Sequence, residues 1–67
     1  MTSIQLIEIL KEGVWITATI HKKTHSAQFL ITLRKGTITT NEGVNGINRY
    51  SKKRFIANCA DATFSIE

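Results

Sequence analysis

The chain predicts a small α+β domain, an antiparallel sheet packed by two helices in the order α-β-β-β-α-β. Three observations carry that expectation. The first ten residues are apolar at helical spacing behind a capping Thr2. Two later stretches alternate apolar and polar side chains with the period of a half-buried strand. A second capped segment, starting at Ser51, precedes a short β-rich tail. With 67 residues there is room for one domain, residues 1–67, and chains of this size bury only about 60% of their unfolded surface.

In the first helix, Thr2 as N-cap and Gln5 three residues on approximate a capping box. Ile4, Leu6, Ile7, Ile9 and Leu10 form a broad apolar face, so this helix is expected to lie across the sheet. Gly13 is read as its left-handed C-cap. Val14, Ile16, Ala18 and Ile20 then alternate with Trp15, Thr17, Thr19 and His21, giving a first strand from Val14 to His21. Ala27, Phe29, Ile31 and Leu33 repeat the pattern to Arg34 after a polar loop over Lys22–Ser26. Lys35-Gly36 is a tight turn into a third strand, Thr37 to Thr40. These three strands make a meander.

From Asn41 the alternation stops. Asn41-Glu42-Gly43 and Asn45-Gly46 are turn signals, and the stretch to Arg49 reads as a loop pinned by Val44 and Ile47. The second helix is placed over Tyr50–Ala60. Ser51 caps it, Tyr50 packs on Phe55 as a hydrophobic staple, and Phe55, Ile56 and Cys59 share a face. Thr63 to Ile66 forms the final strand.

Charge is segregated. Between His21 and Arg54 eight basic residues face Glu42 alone, a net +7, while the remainder carries Lys11 against four carboxylates, a net −3. Lys22-Lys23 and Arg34-Lys35 fall at opposite ends of the hairpins and need not form one patch. The densest cluster is Arg49 with Lys52, Lys53 and Arg54. Cations in a first helical turn oppose the macrodipole by about 0.3–1 kcal/mol each when exposed, a local conflict of the kind functional sites carry. Lys and Arg there would neutralise backbone phosphates, with Asn45, Asn48 and Tyr50 adding hydrogen bonds or stacking. The competing explanation is a solvated face on an ordinary basic domain.

Trp15, set among outward threonines, is a candidate partner anchor, although the preferred reading is structural: the helices cover that face, or Trp15 begins the strand and packs at a rim. The threonine-rich third strand is read as an exposed edge able to pair with a partner chain or a second copy. His21, His25 and Cys59 are too few and too scattered for a zinc site, and the carboxylates are dispersed. No phosphate-binding loop pattern is present. No catalytic set, metal or cofactor is therefore expected, and Cys59 reads as a small buried side chain. One cysteine, no basic leader and no long apolar run point to a cytoplasmic protein. The function expected is a non-enzymatic, basic binding module that contacts nucleic acid or a nucleoprotein through its cationic face. The alternative is an accessory or inhibitor, of the sort phages and mobile elements encode, that binds and blocks a host protein complex.

Overall fold

The computed structural model describes residues 1–67, and its register shows how the alternating sequence becomes a two-sided sheet. Strands β1 (Ile16–His21), β2 (Ser26–Arg34), β3 (Thr37–Asn41), β4 (Ile47–Tyr50) and β5 (Thr63–Ile66) form one sheet in the order β4-β3-β2-β1-β5. Every neighbouring pair is antiparallel. Helices α1 (Ser3–Ile9) and α2 (Lys52–Asn58) complete the α+β domain.

Pairings such as Ala18 with Phe29, Leu33 with Ile38 and Ile20 with Phe64 place apolar residues of four strands on one face, and Tyr50 of β4 joins them opposite Ile38. Both helices pack there. Leu6 and Leu10 from the α1 region, Phe55 and Cys59 from the α2 region, and Ala18, Ile31, Ile38 and Phe64 from the sheet share one core with Ala62. Phe64 is its hinge piece, stacked on Phe55 at 5.9 Å between centroids and edge-on to Phe29 at 6.3 Å. The opposite face carries Thr17, Thr19, Leu30, Thr32, Arg34, Thr37, Thr39 and Arg49, and no helix lies over it.

The capping box of α1 forms as expected. The Gln5 amide donates to Thr2 Oγ1 at 3.2 Å, and the Thr2 amide donates to Gln5 Oε1 at 2.9 Å. The helix nevertheless stops at Ile9, so Gly13 is not its C-cap. Leu10 turns extended (φ −68°, ψ 141°), which drops its side chain into the core. The chain then runs beside β2, where Gly13, at φ +74°, donates its amide to Leu33 O at 2.8 Å. This detour also delays the first strand. Val14 and Trp15 stay outside β1, and the Val14 carbonyl accepts the Thr32 hydroxyl at 2.7 Å.

Two corrections concern the middle of the chain. Ile47–Tyr50, expected as loop to Arg49 and as the start of the second helix at Tyr50, is β4, and it covers β3. The third strand is thus interior rather than an edge; the sheet's edges are β4 and β5. Four residues offer too little alternation to announce a strand, and β4 is specified by its pairing with β3. The connection is closed by local bonds. Asn41 Oδ1 accepts the Gly43 amide at 3.2 Å, and the Glu42 amide donates to Gly46 O at 2.9 Å. Gly46 sits at φ 77°, ψ −162°, a conformation essentially reserved for glycine.

The second helix is shorter than expected but starts where expected. Ser51 caps it by accepting the Arg54 amide at 3.1 Å, and Tyr50 packs on Phe55 with centroids 6.1 Å apart. Lys35 and Gly36 both adopt positive φ, 51° and 75°, the signature of a type I′ hairpin turn.

Candidate nucleic-acid interface

Strand alternation decides which basic residues act together. Tyr50 belongs to the core face, so Arg49, its neighbour in β4, stands on the helix-free face. There Arg49 pairs in register with Thr39, and Arg34 pairs with Thr37. Arg34, Lys35, Thr37, Thr39 and Arg49 line one open hollow of about 280 Å³ that has no apolar residue in its wall. Nearby, Glu12 accepts the Lys35 backbone amide through its carboxylate, which holds the turn. Proximity in the sequence groups Arg49 with Lys52, Lys53 and Arg54 and sets Arg34-Lys35 apart; the strand register does the opposite.

Lys52, Lys53 and Arg54 are exposed in the first turn of α2, on the other side of the sheet. They share an end with the Lys35 turn, because Tyr50, Ile38 and Leu33 are aligned across β4, β3 and β2. Arg49 and the helix cations therefore share an end of the molecule but not a face. Lys22 and Lys23 occupy the β1–β2 turn at the far end. The nine residues of β2 separate the two turns by about 26 Å at ordinary strand rise. That exceeds the ~8 Å screening length at physiological salt, so the two groups of cations act independently.

A feature with no sequence signal lies on the core side. Glu42 Oε2 accepts three hydrogen bonds, from Thr40 Oγ1 at 2.7 Å, Asn48 Nδ2 at 2.9 Å and Tyr50 Oη at 3.3 Å. These ties fasten the β3–β4 connection to β4. Burial, then the Glu42 charge and hydrogen bond, push the Tyr50 phenol above its ordinary value. Glu42 and Tyr50 also line an amphipathic hollow of about 260 Å³ floored by Phe29, Phe55 and Phe64, with Lys22 and Cys59 on its wall. Burial raises the Cys59 thiol, and the attraction of Lys22 for a thiolate does not overcome it. Glu42 stood out only as the lone carboxylate of a basic stretch; its three donors converge only once β3 and β4 pair.

Trp15 is 39% exposed in the segment leading into β1. Leu30 and Ile47, exposed at 40% and 62%, flank Asn41 on the helix-free face, away from the cationic hollow. His21 Nε2 lies 2.8 Å from Ser65 Oγ, and His25 Nδ1 lies 3.2 Å from the Thr24 hydroxyl. No three His, Cys, Asp or Glu side chains gather in metal-binding geometry, and no helix is long and apolar enough to cross a membrane. No family model, curated protein or solved structure matches the chain.

Proposed function

We propose that the protein is a non-enzymatic binding module that contacts nucleic acid through the basic end of its sheet. The reading rests on one observation. Arg34, Lys35 and Arg49 converge on the helix-free face around hydroxyl side chains, and Lys52, Lys53 and Arg54 add charge at the same end. Phosphate contact is the chemistry such a surface serves: the guanidinium groups bind oxyanions in bidentate fashion, and threonine hydroxyls donate to phosphate oxygens. Cytoplasmic residence belongs to the same reading.

The test is binding of duplex and single-stranded oligonucleotides across a salt series. Each phosphate neutralised adds about 0.9 to the slope of log K against log salt for a duplex and about 0.7 for a single strand. Replacing Arg34 and Arg49 together by Gln should lower the slope by about 2. Affinity indifferent to salt, or unchanged in that variant, would sink the proposal.

A second reading has its own observation. Leu30 and Ile47 expose apolar surface on the same uncovered face, with Trp15 and Val14 also exposed, which suits a protein partner whose complex this chain would block. A nuclease-resistant, stoichiometric partner lost on Leu30→Lys/Ile47→Lys substitution favours this reading. Pairing of two copies through the β4 edge is a further form of it, visible as a dimer in size-exclusion chromatography; the β5 edge is already occupied at Phe64 by Met1.

A further inference from the structure

The cationic hollow holds a group that the fold leaves unanswered. Thr39 is 2% exposed, and its Oγ1 is a buried side-chain oxygen without a protein hydrogen-bond partner. Its neighbour across the ladder, Thr32, is equally buried but donates to the Val14 carbonyl. A buried hydroxyl without a partner is destabilising, and an isosteric Val in a β-strand would avoid that penalty. Thr39 is one of the residues lining the hollow with Arg34, Lys35, Arg49 and the half-buried Thr37, and its Oγ1 lies just beneath that surface.

We propose that this hollow is a discrete seat for one phosphate group, with Arg34, Lys35 and Arg49 balancing its charge and Thr39 Oγ1, uncovered as the arginine side chains move onto the anion, donating to a phosphate oxygen. The inference rests on the nucleic-acid reading for its biological ligand but not for its chemistry. The ligand class is a tetrahedral phosphate oxyanion, carried either as a terminal monoester or as a backbone diester. Arg34 and Arg49 are exposed on long flexible stems, so they can swing over a bound anion. Lys35 is held at positive φ by the turn, which projects its side chain from a fixed backbone. The wall includes no carboxylate; the nearby Glu12 carboxylate is engaged by the Lys35 amide.

The probe is inorganic phosphate, titrated at constant ionic strength against chloride and followed by backbone amide shifts. Saturable changes are expected at Thr37, Thr39 and Arg49, and not at Lys22 and Lys23. Thr39→Val should weaken phosphate binding about fivefold, the worth of one hydrogen bond, while melting at the same temperature as the parent or higher. Arg34→Gln/Arg49→Gln should abolish binding. Shifts spread evenly over both basic ends, or unchanged affinity in Thr39→Val, would overturn the seat.

Oligonucleotides with and without a 5′-phosphate separate the two sources. Preference for the phosphorylated end assigns a terminal monoester; equal affinity that Thr39→Val weakens assigns a backbone diester. The two proposals fail separately. Salt-steep oligonucleotide binding with no saturable phosphate site removes the seat and leaves the nucleic-acid reading. Saturable phosphate without oligonucleotide binding does the reverse.

Discussion

Thr32 and Thr39 stand directly opposite each other in the β2–β3 ladder, both buried on the helix-free face, yet only Thr32 has a hydrogen-bond partner. The bond from Thr32 to the Val14 carbonyl ties the segment after α1 to the middle of the sheet. Thr32→Val keeps the shape and removes the donor. Urea denaturation should show a loss of about 1 kcal/mol, the net worth of one such bond. An unchanged midpoint would mean that the Val14 carbonyl is satisfied without it.

The basic end separates binding from stability. Charge reversal of Lys52, Lys53 and Arg54 to Glu should weaken oligonucleotide binding, with a melting temperature equal to or above the parent's. Acidic side chains in the first turn of α2 favour the helix dipole by about 0.3–1 kcal/mol each when exposed. A lower melting temperature with full binding would show that these cations serve the fold instead.

Lys35 couples the two properties differently. It adopts φ 51° beside Gly36 at 75°, a backbone that Asn tolerates better than Lys. Lys35→Asn should therefore melt at the same temperature as the parent or higher. The same change removes a cation from the hollow, so the salt slope of oligonucleotide binding should fall by about 1. Calorimetry and the salt series read the two effects independently.

Glu42 is the clasp of the β3–β4 connection. Glu42→Gln retains the shape and removes the charge that Thr40, Asn48 and Tyr50 all donate to. A loss of about 1–2 kcal/mol is expected, at the lower end for bonds to a charged group because the site is half-buried. Tyr50 is the chain's one tyrosine, so ultraviolet titration reads it directly. Its pKa should fall in the variant yet stay above the ordinary value of 10.0, because burial is the larger cause of the shift.

Alkaline pH should destabilise the protein. Burial raises the Cys59 thiol above its ordinary value of 9.0, so the folded state binds the proton more tightly than the unfolded chain does. Its contribution is complete below pH 9 and is lost as pH rises through the folded value; Tyr50 follows from 10 by the same sign. Melting temperature should therefore decline above pH 9, with a later onset in Cys59→Ala measured against its own neutral-pH value. An alkaline limb identical in that variant would assign the decline to Tyr50 alone.

Local chemistry was the legible part of the fold. The Thr2–Gln5 box, the Ser51 cap, the Tyr50–Phe55 staple and the Lys35-Gly36 turn depend on neighbours within five residues, and each forms as its spacing implies. The errors were all of range. Gly13 has the composition of a helix end, whereas the burial of Leu10 bends the chain earlier. The sequence does not announce β4, and so presents β3 as an edge, because four residues acquire strand character only through the partner they meet.

The sequence by itself determined the α+β class, the capped helix starts and the excess of positive charge in the middle of the chain. Tertiary structure alone decided which charges belong together. A strand sends successive side chains to opposite faces, so the missed β4 separated Arg49 from Lys52, Lys53 and Arg54 and set it beside Thr39, near Arg34 and Lys35. Periodicity along a chain specifies which residues alternate, but the pairing of distant strands determines what each one faces.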